Sequence, residues 1–583
     1  MSLKLKGVAA APGIAIAPLV RFHSDMDFVP TRPVGEHEIP RESARLTEAI
    51  TAASKSILFL RKELETSISA QEVKIYDAQL ALLHDETFKS DMLSVIEKDQ
   101  VNAEVALQQV VDRYEKVFED MEDVLMRERA ADVRDVGRQV MAALMAKERS
   151  VYIADGQDYI FAAEEFLPSD AGIVDREHLC GIVTARGGKY THGAILARSL
   201  GIPALAAVEA VLTKIESGTP VILDGESGQL IANPDDEDYD VYRRRKAEQE
   251  ETDRRVFEVR FLPSKTADGE EVRLLANVEG TRDLGQIENN LVHGIGLFRT
   301  EFAFMERRQF PTEDEQASMY QRAIEWAGDK VVTFRTLDIG GDKPLLYFRT
   351  PEERNPVLGW RGLRISLDWP DLFYTQIRAI LRASAGGHAR ILLPMVTSVS
   401  ELRRCREVLD EILSDMKSSG EPHDTEIELG AMIEVPALAH VLDLVLPIVD
   451  FLSVGTNDLV QYLLAVDRDN PRVADLYSPY HPAVLRLLHQ IAEQAAAFGK
   501  PVSICGEIAG DHYFTPLLLG LGFRELSMAP VFLPRVKLIA RTISAERCRE
   551  LVAEALRMSE ARAIRMLAKE EANKIWSEFL QGE

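Results

Sequence analysis

The sequence is poor in cysteine. Its four cysteines, Cys180, Cys405, Cys505 and Cys548, are widely separated and form no CxxC pair. This spacing indicates neither a disulfide framework nor a zinc knuckle, and a reducing cytosol is the expected compartment.

Long apolar runs are also absent, since no run approaches the roughly 18 residues that a membrane helix needs. The first residues resemble a signal peptide, because Lys4 and Lys6 precede an apolar stretch that ends in Ala15-Ile16-Ala17. Pro12-Gly13 interrupts that stretch, and the free cysteines downstream argue against export. We therefore expect a cytoplasmic protein with no direct membrane contact.

Positive charge is scarce relative to negative charge. The chain has 68 Lys and Arg against 94 Asp and Glu, a formal net charge of −26. This excess disfavours nucleic acid as a partner and suits a basic protein, although solubility alone explains it equally well. At 583 residues the chain exceeds the size of one core, so about two to four domains are expected.

Glycine and proline are missing between Arg41 and Val136, where strong helix formers recur at helical spacing, which predicts an all-helical block. Strand-like apolar pieces flank this block, Leu3 to Val20 before it and Tyr159 to Ala162 and Pro220 to Leu223 after it. The later pieces alternate with short helices. We therefore predict an α/β domain into which a helical block is inserted.

A second architecture begins after a connecting segment. Residues 235–260 are dense in charge and lack glycine and proline, which predicts a linker helix. Eight apolar runs then follow, most of them separated by helical stretches, and this pattern predicts a (β/α)8 barrel. The predicted strands are Arg273–Val278, Gly294–Phe298, Val331–Leu337, Arg390–Val396, Ile427–Ile433, Asp450–Val454, Pro501–Ile504 and Arg524–Met528.

Polar side chains stand where the predicted barrel strands end, which is the face that carries the chemistry of such barrels. Arginine forks suit phosphate and carboxylate groups, so Arg299, Arg335 and, shortly after the sixth strand, Arg468 are candidate ligands of a small polyanion. The residues at the strand exits are Asn277, Arg299, Arg335, Glu434, Asn457 with Asp458, and Cys505.

Glu434 and Asp458 are hard oxygen donors on adjacent predicted strands. Such a pair fits Mg²⁺ held by carboxylates, substrate oxygens and water. The alternative for Glu434 is a helix cap before Pro436. Cys505 taken alone is a buried core residue, but among arginines and a metal it is a candidate acid.

A single histidine follows a glycine-rich turn far upstream. Gly187 and Gly188 permit close backbone approach, Thr191 is a candidate cap, and a helix is predicted from His192 to Leu200. At the positive end of the helix dipole, a phosphate is favoured and the free imidazole stays neutral and nucleophilic. A cap or an ordinary surface histidine is the alternative.

Together these motifs resemble the phosphoenolpyruvate–protein phosphotransferase family, Enzyme I of the bacterial phosphotransferase system, from residue 1 to about residue 575. The matching segments are Gly187 to Arg198, Gly294 to Glu301, Arg335 to Lys343, Leu358 to Arg361, Gly455 to Gln461, Asp467-Arg468 and Cys505 to Asp511.

The resemblance implies a phosphoryl relay. His192 would attack the phosphorus of phosphoenolpyruvate, Cys505 would protonate the departing enolate to pyruvate, and the phosphohistidine would pass its group to a histidine of the phosphocarrier protein HPr. Mg²⁺ would be bound by Glu434 and Asp458. The implied substrate-binding residues are Arg299, Arg335, Asn457, Asp458 and Arg468.

The resemblance also implies a domain plan, with a swinging histidine domain and a homodimer formed through the barrel. Val73 to Phe88 resembles the helix that docks the carrier, although an ordinary amphipathic helix has the same pattern. The plan comprises an α/β phosphohistidine domain (1–30 and 148–234), a helical insert that binds the carrier (31–147), a linker helix (235–260) and a (β/α)8 domain for phosphoenolpyruvate binding and dimerisation (261–583).

Three residues around His192 depart from the family pattern. Tyr190 and Thr191 stand where threonine and serine are usual, and Gly193 replaces a position that is commonly hydroxylated. Thr191 keeps a hydroxyl group, whereas Tyr190 is bulkier. These departures predict a different orientation of His192 or a different preference among carriers.

Four other hypotheses remain open from the sequence. A nitrogen-type regulatory phosphotransferase would use the same chemistry. A nucleotide-dependent dikinase needs a nucleotide-binding domain, and no P-loop is present. A Mg²⁺-dependent lyase acting on pyruvate enolates leaves the first 260 residues unexplained. A regulatory scaffold without chemistry does not account for the residues at the barrel rim.

Overall fold

The computed structural model falls into two compact units, Met1–Glu251 and Thr252–Glu583. In the part of the chain that it describes, no helix combines the length and apolar character needed to cross a membrane. The described residues are 2–22, 29–64, 70–119, 121, 124–145, 156–175, 177–188, 191–281, 283–305, 307, 309–341, 345, 347–348, 353–468, 470 and 472–581.

The first unit contains an eight-stranded mixed sheet with the order β1-β8-β7-β3-β4-β5-β6-β2. The pairs β3–β4, β4–β5 and β5–β6 are parallel, and the other pairs are antiparallel. The first three strands thus share a sheet with later ones, as predicted. The strands are β1 (Leu3–Lys6), β2 (Val8–Ala11), β3 (Ile14–Arg21), β4 (Tyr159–Ala163), β5 (Leu179–Thr184), β6 (Ala204–Ala206), β7 (Pro220–Asp224) and β8 (Gln229–Ala232).

A helical block lies between β3 and β4, as predicted. Its buried residues, among them Leu46 and Leu107, form one core with sheet residues such as Phe161. Burial of these apolar faces, rather than helix propensity alone, stabilises the block. The helices are α1 (Ile39–Leu64), α2 (Ala70–Leu83), α3 (Glu86–Asp99), α4 (Ala103–Glu119) and α5 (Val124–Leu144).

The segment predicted as one helix from Val73 to Phe88 is divided between α2 and α3. The carboxylate of Asp85 accepts hydrogen bonds from the backbone N–H groups of Thr87 and Phe88, and this N-cap starts a new helix. Phe88 and Leu83 are buried, so they are core residues rather than part of an exposed docking face.

Three helices complete the first unit and lead into the second. The helix α8 is the predicted linker helix and crosses the division between the units. Its terminal residues Val256 and Val259 pack with Leu538 in the second unit. The helices are α6 (His192–Ser199), α7 (Val211–Lys214) and α8 (Asp236–Val259).

The second unit is a closed barrel of eight parallel strands in the order β9 to β16. All eight predicted strands are present, with ends shifted by a few residues. They are β9 (Arg273–Val278), β10 (Gly294–Arg299), β11 (Val331–Arg335), β12 (Ala389–Leu393), β13 (Glu428–Ile433), β14 (Phe451–Val454), β15 (Val502–Ile504) and β16 (Glu525–Met528).

Helices surround the barrel and bury one continuous apolar core against it. Strand β9 is the exception, because two 3-10 turns at residues 283–286 and 289–291 take the place of an α-helix after it. The helices are α9 (Glu301–Met305), α10 (Glu313–Ala327), α11 (Leu363–Asp368), α12 (Pro370–Ala383), α13 (Val399–Ser419), α14 (Pro436–Ala439), α15 (Leu442–Val445), α16 (Thr456–Leu464), α17 (Pro482–Ala497), α18 (Thr515–Gly520), α19 (Leu533–Thr542), α20 (Ala545–Ala555) and α21 (Ala561–Gln581).

Candidate active site

Arg335 ends β11 and is buried at the C-terminal mouth of the barrel. Its guanidinium pairs with Glu301, and its Nη1 lies 3.2 Å from Oδ2 of Asp338. Burial lowers the pKa of Arg335, but the negative charges around it, first those of Glu301 and Asp338, together raise it by more, so the group stays charged. Arg335 is therefore a cation fixed in one position.

Arg361 is a second buried arginine, for which the sequence suggested no role. Its Nη2 lies 3.3 Å from Oδ2 of Asp338 and 3.4 Å from Oδ2 of Asp458. Its Nη1 donates to the Tyr462 hydroxyl at 3.2 Å. Arg361 therefore links the carboxylate of Asp458 to the acid that also holds Arg335.

Glu434 follows β13 and is almost fully buried. Its Oε1 accepts a hydrogen bond from the backbone N–H of Met395 at 2.5 Å. Burial and then the negative charges of Asp458 and Asp338 raise the pKa of Glu434. The alternative of a helix cap finds no support, because Val435 is the N-cap residue of α14.

Arg299 and Glu279 lie side by side at the ends of two neighbouring strands. Strands β9 and β10 pair in a register that places Phe298 beside Val278, and the next residues on each strand are Arg299 and Glu279. Nη1 of Arg299 donates to Oε1 of Glu279 at 2.8 Å. Arg299 is thus paired with an acid that the sequence did not single out.

Cys505 follows β15 and is buried, and burial raises the pKa of its thiol to about 11. Sγ donates to the carbonyl of Val454 at 3.5 Å. The side chain of Asn277 donates to the Cys505 carbonyl at 3.0 Å and accepts from the Ser527 hydroxyl at 2.6 Å. The thiol is consequently neutral near pH 7 and held in a fixed loop.

Asn457 and Glu507 bond to each other twice. The Asn457 amide donates to Oε1 of Glu507 at 3.0 Å, and the backbone N–H of Glu507 donates to Oδ1 of Asn457 at 2.9 Å. The Tyr477 hydroxyl donates to the Asn457 carbonyl at 3.3 Å. Burial raises the pKa of Tyr477, and the nearby Arg468 side chain lowers it in part. Arg468 therefore lies at the corner of the site that holds Asn457.

Two glycines bring these loops into contact. A Cβ on Gly506 would lie 1.9 Å from Oγ1 of Thr456, and one on Gly455 would lie 2.9 Å from Oε2 of Glu434. Neither position has room for a side chain. The loop that carries Cys505 is thereby brought against the start of α16, which carries Asp458.

A cavity of about 570 Å³ opens at this mouth. Arg299, Glu279 and Cys505 line it, whereas Glu434 and Asp458 do not, so it reaches the arginine and cysteine side of the site. Its size suits a small anionic molecule. The charges of Arg335, Glu434 and Arg299 all contribute to the pKa of the Cys505 thiol.

His192 is the first residue of α6, in the other unit, and its side chain lies outside the described residues, as does all of Tyr190. Thr191 takes the N-cap position, but its hydroxyl donates to the Gly188 carbonyl at 3.0 Å and caps no backbone N–H. The predicted position of the cap is therefore confirmed, without a side-chain hydrogen bond from the helix to Thr191. Gly187 adopts a φ of 104°, which requires glycine.

Close packing explains why the residue after His192 is a glycine, Gly193. A Cβ on Gly193 would lie 2.3 Å from the Phe166 carbonyl oxygen, so α6 begins in direct contact with the loop after β4. A cavity of about 70 Å³ adjoins this turn, with Thr184 and Arg186 in its lining. The departure from the family at this position thus follows from close backbone approach.

The structure brings seven of the eight predicted site residues to the barrel mouth and leaves His192 on the sheet unit. Glu301, Asp338 and Arg361 fell within segments that matched the family, but their roles depend on tertiary pairing. Nothing in the sequence indicated a role for Glu279 or Tyr462. The seven residues are Arg299, Arg335, Glu434, Asn457, Asp458, Arg468 and Cys505.

Three family profiles match the chain in succession. Residues 6–129 match the N-terminal region of the PEP-utilising enzymes, residues 156–228 their mobile domain, and residues 254–545 their PEP-binding domain. The barrel therefore coincides with the region described as binding PEP in that family.

Curated relatives match over nearly their whole length. The phosphoenolpyruvate-protein phosphotransferase of Staphylococcus carnosus is 37% identical, over 98% of this chain and 99% of its own. That of Haemophilus influenzae is 35% identical, over 97% and 98%, and that of Priestia megaterium 38%, over 93% and 95%. A solution structure of an Enzyme I protein is 29% identical over 42% of this chain and 99% of its own, with a TM-score of 0.36.

Proposed function

The chain belongs to the phosphoenolpyruvate–protein phosphotransferase family, and from this we infer that it moves the phosphoryl group of phosphoenolpyruvate to His192 and then to a histidine of an HPr-like phosphocarrier protein. Its relatives are enzymes with that name, which favours this function over a dikinase, a lyase or a scaffold. The reaction would be the first step of sugar uptake by the phosphotransferase system. A nitrogen-type regulatory branch would use the same chemistry with another carrier.

The first half-reaction begins with substrate bound at the barrel mouth. Arg299, Arg335 and Arg468 would bind the anionic oxygens of phosphoenolpyruvate, and Asn457 and Asp458 would complete the substrate site. The imidazole of His192 attacks phosphorus, and the electron pair of the breaking P–O bond stays on the enolate oxygen. Fixed cations such as Arg335 stabilise the charge that moves in this step without reorganising.

The second chemical task is protonation of the enolate carbon. The Cys505 thiol keeps its proton at neutral pH because burial raises its pKa to about 11. A stronger base, the enolate carbon, takes that proton and becomes the methyl group of pyruvate. The resulting thiolate lies within the field of Arg335 and Arg299, which stabilises it.

Glu434 and Asp458 fit Mg²⁺. Their mutual repulsion and the burial of Glu434 raise the pKa of that carboxyl, and a divalent cation would relieve this repulsion. No group of three or more His, Cys, Asp or Glu that could hold a metal occurs in the described part of the chain, so substrate oxygens and water would supply the other ligands. When bound, Mg²⁺ would act as a Lewis acid for phosphate and enolate oxygens.

We further propose that the carrier docks on the helical block, residues 31–147, and that residues 1–30 and 148–234 form the phosphohistidine domain. Residues 235–260 would be the linker helix, and the barrel domain, 261–583, would pair two copies of the chain. A cytoplasmic location suits the substrate and the free cysteines. The acidic chain suits a basic carrier.

One observation carries the proposal: the barrel mouth combines arginines, a carboxylate pair and a protonated thiol, and a histidine begins a helix on the other unit. The test is incubation with phosphoenolpyruvate labelled in its phosphoryl group, together with Mg²⁺. We expect label that is acid-labile and base-stable on the wild type and no label on His192→Ala.

The matched control is His178→Ala, because His178 is a histidine of the same unit that pairs with Asp158 at 3.2 Å and has no part in the proposed chemistry. This variant should be labelled like the wild type. Absence of label on the wild type, or persistence of label in His192→Ala, contradicts the proposal.

A further inference from the structure

Two arginines of the barrel mouth are paired with acids in very different surroundings. The partners of Arg335, Glu301 and Asp338, have side chains that are 0% and 1% exposed. The side chains of Arg299 and its partner Glu279 are 30% and 44% exposed. A fully buried pair is costly to break, whereas a half-exposed one costs less. Arg299 is therefore the arginine whose partner a solute can replace.

The half-exposed pair of Arg299 and Glu279 lies where the substrate is expected. Arg299 and Glu279 line the 570 Å³ cavity together with Cys505, the proposed proton donor. The strand register fixes both backbones, since Arg299 ends β10 and Glu279 directly follows β9. The backbone N–H of Glu279 also donates to Oδ2 of Asp283 at 2.8 Å. Only the side chain of Glu279 is thus able to move away from Arg299.

The carboxylate of Glu279 is poorly stabilised apart from its arginine. Burial raises its pKa, Arg299 lowers it, and the charges of Asp283 and Glu301 raise it further. A polyanion arriving at Arg299 adds another negative charge beside it. A carboxylate and a phosphate or carboxylate of the substrate therefore compete for one guanidinium.

We propose that Glu279 is an internal competitor of the substrate. Its carboxylate occupies the Arg299 guanidinium in the free enzyme, and an anionic oxygen of phosphoenolpyruvate displaces it on binding. This inference rests on the proposed function. Glu279 is then a positioning residue that sets the affinity for phosphoenolpyruvate and takes no part in the chemical step.

The test is the variant Glu279→Gln, which removes the charge but keeps an oxygen that accepts from Arg299. In a His192→Ala background, which binds without turnover, isothermal titration with phosphoenolpyruvate and Mg²⁺ should give a Kd about two- to fivefold lower than without the second change, the range set by an exposed ion pair. With His192 intact, KM should fall by the same factor and kcat should not change.

Two matched variants isolate the cause. Glu288→Gln removes an acid that lines the same cavity, is 49% exposed and pairs with Arg260 at 3.1 Å, and its Kd should equal that of the parent. Glu279→Asp keeps the charge and should leave the Kd near the parent value. These comparisons separate loss of the competitor from a general loss of negative charge.

The outcomes distinguish this inference from the function on which it rests. An unchanged Kd in Glu279→Gln, with wild type labelled at His192, overturns the competition alone. A higher Kd also overturns it and makes Glu279 an orienting partner of Arg299. Tighter binding by Glu279→Gln in a protein that never becomes labelled supports the competition and contradicts the relay.

Discussion

At the scale of single residues, Cys505 makes the most direct prediction. We expect Cys505→Ala to slow pyruvate formation from phosphoenolpyruvate by about 10²–10⁴-fold, the range of general acid catalysis. The Kd for phosphoenolpyruvate should change little, because the thiol is a proton donor rather than a ligand in this scheme. Rapid-quench kinetics and titration calorimetry in the His192→Ala background measure the two quantities.

A second buried cysteine provides the control. Cys405 lies on α13, and burial raises the pKa of its thiol to about 12. Cys405→Ala should leave the rate of pyruvate formation unchanged. Alkylation of Cys505, followed by peptide mass spectrometry, should accelerate as the pH rises toward 11, since the thiolate is the nucleophile. A wild-type rate in Cys505→Ala would contradict the role of proton donor.

The chemistry of these side chains could be predicted from the sequence, but the residues with which they pair could not. Arg299 and Cys505 could be predicted because they stand at strand ends, where a barrel presents its functional groups. The pairing of Arg299 with Glu279 depends on the register of two strands, and the pairing of Arg361 with Asp458 depends on loops distant in sequence. No local pattern encodes such contacts.

At the scale of elements, the start of α6 supports a second prediction. Gly193→Ala places a Cβ against the Phe166 carbonyl oxygen, 2.3 Å away in the unrelaxed structure, so the helix must shift. We expect a loss of about 1–3 kcal/mol in the free energy of unfolding of this unit, the usual cost of overpacking. Phosphorylation of His192 should slow as well, because His192 begins the displaced helix.

The same turn supplies the matched control. Among the described residues, a Cβ on Gly188 would meet no atom within 4 Å, and its φ lies outside the left-handed region. Gly188→Ala should therefore keep the free energy of unfolding of the wild type. Thermal unfolding and the rate of label incorporation test both variants. Equal behaviour of Gly193→Ala and Gly188→Ala would exclude the packing argument.

Elements were predicted where the pattern of apolar residues determines them. Seven of the eight barrel strands are followed by α-helices, and residues of all eight strands are buried in one core, so their positions could be predicted from apolar runs. The ends of helices depended on single hydrogen bonds instead. Asp85 caps α3 and divides a predicted helix, whereas Thr191 is the N-cap residue of α6 but turns its hydroxyl to the Gly188 carbonyl.

At the scale of the whole molecule, the positive charges at the barrel mouth stand against the negative net charge of the chain. The barrel mouth holds fixed arginines such as Arg335 and Arg361, each partly neutralised by buried acids. In the proposed function, such a site would bind a polyanion without forming a nonspecific basic patch on a chain of net charge −26. In the proposed relay, the transferred group then leaves this site on His192 of the other unit.

The division into Met1–Glu251 and Thr252–Glu583 predicts that the two units can be studied as separate fragments. The barrel fragment retains Val256 and Val259, which pack on Leu538, and should fold and bind phosphoenolpyruvate with Mg²⁺ at the Kd of the full chain. It should not become labelled, because it lacks His192. The first fragment should accept label from a phosphorylated HPr-like carrier but not from phosphoenolpyruvate.

Mixing the fragments tests the role of the connection between them. Linkage supplies an effective concentration in the millimolar range, so phosphoenolpyruvate should label the first fragment slowly at micromolar concentrations and faster as the barrel fragment is increased. Size-exclusion chromatography and circular dichroism establish that each fragment is folded. Labelling of the first fragment by phosphoenolpyruvate without the barrel would show that the barrel mouth is not the substrate site.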